Sequence, residues 1–198
     1  MRKTLTALLM LFLCHVVSAQ GRFGVKGGIN LFSLHSENNQ QQDYNNGKPG
    51  FLVGVSYELP MSNYFAFVPE VNYSYQSAEE NYYGSKIHLG YVQVPILLHY
   101  YHQTSPVSLY AGPQANFITS AKVKPKTGDE QGIRSDVVQT DIGVTLGVAY
   151  TPIAWKKGIT VDVRAYRGFM NVIKAEYDNG TKSRATLFML TVGYAFGK

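Results

Sequence analysis

Between Gly21 and Lys198 apolar and polar residues alternate in eight extended runs, and the gaps between the runs are by turns long and short. Alternation with a period of two sends successive side chains to opposite faces of a strand. The runs lie near Arg22–Leu34, Gly50–Leu59, Tyr64–Gln76, Ile87–Tyr101, Val107–Thr119, Val137–Tyr150, Gly158–Phe169 and Arg184–Phe196. Long polar stretches follow the odd runs (His35–Lys48, Ser77–Lys86, Ser120–Asp136 and Asn171–Ser183), and tight turns follow the even ones (Pro60–Asn63, His102–Pro106 and Thr151–Lys157). Strands of about ten residues, with short turns at one end and long loops at the other, predict an all-β fold: an eight-stranded antiparallel up-and-down transmembrane β-barrel. The barrel must be closed, because an open sheet edge is not satisfied in lipid.

Alternation alone leaves open which face meets lipid. A soluble periplasmic lipocalin-like barrel binding an apolar ligand would alternate too. The polar phase here carries ionisable residues of both signs, Lys26, Glu58, Glu70, Asp141, Asp162 and Arg164. On a lipid face the basic ones would cost about 2–4 kcal/mol each at mid-depth. Inside a narrow barrel they can pair, as buried charge requires. That places a lumen charge network on the inner face and the apolar phase outside. Aromatics gather at the run ends: Tyr57, Tyr64, Phe65, Tyr100, Tyr150, Trp155, Tyr194 and Phe196 near the short turns, and Phe51, Tyr73, Tyr75 and Phe117 near the long loops. Two such belts suit the two membrane interfaces. The short turns and both chain ends then face the periplasm, and the long loops face outward.

The first residues read as a targeting segment. Arg2 and Lys3 precede an apolar stretch from Leu5 to Val17, and Val17-Ser18-Ala19 offers a small-residue cleavage site. Residues 1–19 are expected to be a cleaved signal peptide and residues 20–198 one outer-membrane β-barrel domain. Cleavage removes Cys14, the single cysteine, so the mature chain has no disulfide and no thiol chemistry. It also removes two of the positive charges behind the net +5. Lys122, Lys124 and Lys126 are the one basic cluster, close to Asp129, Glu130 and Asp136, and read as a solvated loop rather than a nucleic-acid surface.

Several short motifs lie in order along the runs. They are Gly24-Val25-Lys26-Gly27-Gly28-Ile29-Asn30, Tyr91-Val92-Gln93-Val94-Pro95, Tyr110-Ala111-Gly112-Pro113, Asp141-Ile142-Gly143, Arg164 with Gly168, and Val192-Gly193-Tyr194-Ala195-Phe196. In this order they resemble the PorT-like outer-membrane β-barrel family of Bacteroidetes-type bacteria, over the whole mature length. Ala165 departs from the pattern, which has an aromatic after the arginine. The resemblance implies a place in the cell envelope and a barrel shape, with a link to secretion through the family's namesake.

Catalysis finds little support. His88 and His99 are eleven residues apart, about 35 Å along a strand. Neither forms a Ser-His-acid set with Ser108, and no histidine pair has metal-ligand spacing. The chain is expected not to be an enzyme and to need no cofactor or metal. A lipid-modifying outer-membrane enzyme is the remaining catalytic alternative. The expected partners are outer-membrane lipid and, through the long loops, envelope or secretion proteins or surface glycans, with no nucleic acid. The barrel is expected to be monomeric, with a polar lumen plugged by its own side chains.

Overall fold

The computed structural model describes residues 21–36, 46–79, 85–102, 104–126, 131–133, 138–152, 158–170 and 183–196. Residues 1–19, expected to be a signal peptide, and Trp155 lie outside them. Among the described residues nine strands follow one another: β1 Arg22–Ser36, β2 Asn46–Pro60, β3 Phe65–Glu79, β4 Lys86–Tyr101, β5 Val107–Lys124, β6 Gln131–Gly132, β7 Thr140–Tyr150, β8 Ile159–Gly168 and β9 Ser183–Phe196. Eight of them close a ring. Each pairs antiparallel with the next long strand, and β9 returns to pair with β1 from Phe23↔Phe196 to Ser36↔Ser183. The two-residue β6 adds only to the outer end of β5.

The ring is staggered. From Gly27 the register leads through β2, β3, β4 and β5 to Thr140, but through β9 and β8 it leads to Tyr150. That ten-residue shear over eight strands corresponds to a strand tilt of about 40°. From Phe23 to Leu31, the two ends of the exposed apolar run on β1, the wall then rises about 20 Å, close to the height of a bilayer's apolar band.

The outer wall is apolar through this height. Val55, Leu146 and Val163 are 52%, 56% and 56% exposed in mid-strand, and Ile29, Val53, Leu98, Leu109, Leu190 and Val192 are likewise exposed. A continuous apolar surface of this extent is stable in lipid and not in water. This excludes the soluble lipocalin-like arrangement, in which the apolar phase would point inward.

The strands run further than the hydrophobic pattern predicts. β2 begins at Asn46, β3 continues to Glu79, β4 starts at Lys86 and β5 continues to Lys124, all inside stretches read as loop. Lys122 and Lys124 therefore sit on a strand. β7 starts later than expected, at Thr140, and β8 ends at Gly168. Beyond the lipid band the pattern changes phase. On β4 Lys86 is exposed and Ile87 and Leu89 are buried, and on β5 Lys122 is exposed and Ala121 is buried. There the barrel is a water-soluble one, apolar inside and polar outside.

The interior is accordingly not polar throughout. Towards the long loops Phe32, Leu52, Leu89, Ile118, Leu187 and Met189 form one apolar cluster. Towards the short turns Ala66, Val68, Leu97, Tyr110 and Ala149 form a second. The polar and charged side chains occupy the middle.

Candidate functional site

The centre of the lumen is a four-charge cluster contributed by three strands. Lys26 (β1) pairs through Nζ with Glu70 (β3) Oε1, and its Nζ stands 3.7 Å from Asp162 (β8) Oδ2. Arg164 (β8) donates from Nη1 to Glu70 Oε2 at 2.9 Å and from Nη2 to Asp162 Oδ2 at 2.7 Å. A further bond runs from Arg164 Nε to Asp162 Oδ1 at 3.0 Å. Two cations and two anions cancel, and Asn72 Nδ2 (3.0 Å to Glu70 Oε2) and Tyr110 Oη (2.9 Å to Asp162 Oδ1) satisfy further lone pairs. The Tyr110 ring also lies 5.3 Å from the guanidinium carbon of Arg164. Lys26, Glu70, Asp162 and Arg164 share the inward phase of their strands, so alternation alone aims them at one another.

The other two expected network members stand apart. Glu58 binds Arg22 Nη2 at 2.6 Å near the short-turn rim. Asp141 accepts from Tyr166 Oη at 2.7 Å and from the Met170 backbone at 3.3 Å, towards the long loops. Arg22 was not singled out from sequence, and Tyr110 was named only as part of a motif. Arg22 lies on the same phase of β1 as Lys26, and that phase is the signal that finds it.

Around the charges runs a layer of amides and hydroxyls. Asn30 Nδ2 donates to Ser74 Oγ at 3.0 Å and to the Phe51 carbonyl at 2.9 Å. Thr145 Oγ1 donates to Gln114 Oε1 at 2.6 Å, and Gln114 Nε2 to Asn116 Oδ1 at 2.7 Å. Glycine makes room for the larger groups: a Cβ on Gly147 would lie 2.4 Å from the Tyr110 ring, and one on Gly54 1.8 Å from Asn72 Oδ1. Below the charges a cavity of about 500 Å³ is lined by short-turn residues such as Pro106 and Thr151 and reaches up to Lys26, Glu70, His99 and Asp162.

The aromatics at the short-turn end line up across the register. Phe23 faces Tyr57 on one side and Phe196 on the other, and its ring lies 4.6 Å from that of Tyr57. Phe65 pairs with Tyr100 at 5.4 Å, Tyr194 meets Phe196 at 4.9 Å, and Tyr150 is exposed between its neighbours. Phe23, at 65% exposure, is the member the sequence reading passed over.

Of the residues considered for catalysis, His88 stands apart from the other two, while His99 and Ser108 line the same lower cavity. His88 bonds Ser77 and stacks on Tyr75 outside the barrel. His99 stacks on Tyr110 at 4.5 Å inside it, and Ser108 lines the lower cavity. Among the described residues no group of three His, Cys, Asp or Glu is placed to hold a metal.

The outer membrane protein beta-barrel domain family matches residues 18–174. The chain belongs to this family. Its fold matches that of Neisserial surface protein A (NspA), at 17% identity and a TM-score of 0.58, over 88% of this chain and 97% of that one. It also matches Ail, the attachment invasion locus protein of Yersinia pestis, at 15% identity and a TM-score of 0.54, over 89% and 99%. Ail has also been solved in complex with the heparin analogue sucrose octasulfate. No curated protein matches the sequence. Family and fold place the protein in the outer membrane, crossing it with its strands.

Proposed function

We propose that this barrel is a monomeric, plugged scaffold of the outer membrane that acts through its long extracellular loops, as a structural, adhesion or secretion-assembly module. The observation that carries this reading is a lumen closed by side chains above the short-turn cavity. Apolar side chains occupy the lumen towards the loops, a mutually paired charge cluster fills its middle, and a second apolar cluster lies below. An eight-stranded barrel has room for little more than its own side chains. What remains available to partners is the outside, where loops on a rigid scaffold commonly carry binding residues.

The lumen charges hold the strands in place rather than conduct, and the row of aromatics at the short turns anchors the barrel at the periplasmic interface. The barrel works without catalysis, which the position of His88 on the outer side, away from His99 and Ser108 in the lower cavity, supports. The motif order supports a place among the PorT-like members, with secretion as the process served. Ail's complex with a heparin analogue supports surface glycans as an alternative class of loop partner.

Photocrosslinking from positions in the long loops of intact envelopes tests the reading. Recovery of a defined envelope protein or surface glycan is the expected result. Crosslinks to lipid alone would sink it.

A further inference from the structure

At the short-turn end the lumen is open. A cavity of about 500 Å³ lies there below the charge cluster, with Lys26 and Asp162 at its closed end and Arg22 and Glu58 at its mouth. The Arg22 side chain is 38% exposed, so solvent reaches that mouth. Cavities of this volume take small molecules. The strand geometry does not force the space. Gly193 on β9 stands between Lys26 on β1 and Thr160 on β8, and a Cβ there would meet nothing nearer than 3.3 Å. At Gly28 and Gly112 a Cβ would lie 2.1 Å and 1.9 Å from a backbone carbonyl oxygen. Packing demands glycine at those two positions and not at Gly193. A larger side chain at Gly193 would fill the cavity, and the chain carries none.

The charges around the cavity cancel. Lys26 and Arg22, with Arg164 behind them, balance Glu58, Glu70 and Asp162. A guest with a net charge would be left unbalanced in a space walled by lipid. Glu70 and Asp162 have no accepting capacity to spare, because each of their carboxylate oxygens already faces two donors. The spare groups are donors. Lys26 is within bonding distance of Glu70 alone, since Asp162 Oδ2 stands at 3.7 Å, and an ammonium carries more N–H groups than one acceptor takes. Arg22 commits Nη2 to Glu58, and its other N–H groups are uncommitted among the described residues. Between these two cations Ser56, Ser108 and Thr191 line the wall, and a hydroxyl both donates and accepts. The guest that satisfies all of them is uncharged, carries acceptor oxygens along its length and has O–H groups of its own.

We propose that the short-turn cavity is a binding site for an uncharged polyhydroxyl molecule of the size of a mono- or disaccharide, with Lys26 and Arg22 donating to its oxygens. The lumen is closed above by the charge cluster and the apolar side chains around Phe32 and Leu187, so the site is a pocket with one mouth and not a stage of a channel. It lies at the opposite end of the barrel from the long loops and does not depend on what those bind.

The full-length protein, folded in a zwitterionic detergent without a sugar headgroup, is titrated calorimetrically with glucose, maltose, glucuronate and glycine. Saturable binding of glucose or maltose is expected, with glucuronate and glycine at least about tenfold weaker. Gly193→Leu places a side chain in the cavity and should abolish sugar binding. Arg22→Gln removes a charged donor at the mouth and should weaken it about tenfold. Folding is read separately as resistance to unfolding in detergent. If the leucine variant does not fold, the Arg22→Gln variant, altered only at the exposed rim, decides. Absence of saturable binding of both sugars would overturn the proposal. So would unchanged sugar affinity in a folded Gly193→Leu barrel or in the Arg22→Gln variant, or tighter binding of glucuronate or glycine than of either sugar. Such a result refutes this site alone, and crosslinking from the long loops tests the scaffold reading independently.

Discussion

Arg164 is the residue on which the lumen depends most. Its side chain is 1% exposed and serves both Glu70 and Asp162. Arg164→Met would leave two buried carboxylates with only Lys26 to balance them. Removing one partner of a buried ionic set costs about 3–5 kcal/mol. A matching fall in the urea stability of the vesicle-inserted barrel is expected, and a change below 1 kcal/mol would contradict the cluster's role. Arg22→Gln, by contrast, breaks the pair with Glu58 at a rim where the arginine side chain is 38% exposed. Solvent screening limits that loss to about 1 kcal/mol or less in the same measurement. Gly147 is a further sensitive position. Gly147→Val would drive Tyr110 from its bond to Asp162, because even a bare Cβ would lie 2.4 Å from that ring. Near-ultraviolet circular dichroism should report the displaced tyrosine.

At the scale of the strand, height in the membrane decides what a substitution does. Leu190 is exposed in the middle of the apolar band and Phe196 at its lower edge. Leu190→Arg should cost about 2–4 kcal/mol of folding stability in vesicles, and Phe196→Arg at most about 1 kcal/mol from its charge. Equal losses would mean that the band is placed wrongly. The same dependence on height explains what was legible in the sequence. Within lipid, the strict alternation of Val25 with Lys26, or of Val163 with Arg164, announces a strand and its faces. Above lipid the solvent is water, so the rule for the outer face reverses and the alternation loses its phase. The extensions of β3, β4 and β5 then read as polar loops, although Ser77 and Ala121 are buried within them. The switch does leave a mark. Leu31-Phe32, Phe51-Leu52, Phe117-Ile118 and Leu187-Phe188 are adjacent apolar pairs with one member exposed and the other buried. Each falls near the loop-side edge of the band, where an apolar outer face gives way to an apolar inner one. Pairing between particular charges was less legible. Alternation reports which side a residue faces, but not its height on a tilted wall, so Glu58 and Asp141 could not be told apart from Glu70 and Asp162.

For the molecule as a whole, the closure of the lumen above the short-turn cavity predicts electrical silence. Purified protein in a planar bilayer should show no steady ohmic conductance, and a stable conducting state would require the apolar cluster around Phe32 and Leu187 to be absent. Closure itself has another consequence. Phe23 and Phe196 are register partners, so β1 and β9 meet at the short-turn rim. Topologically the barrel is a loop of chain whose break falls at one arbitrary point. Joining the strand ends with a short linker and reopening the chain within residues 171–182 would begin it at the old β9, with every pairing unchanged. Such a circular permutant should reach the same unfolding-resistant state in detergent. The order in which strands leave the ribosome would then be a matter of assembly kinetics, with no bearing on the finished wall.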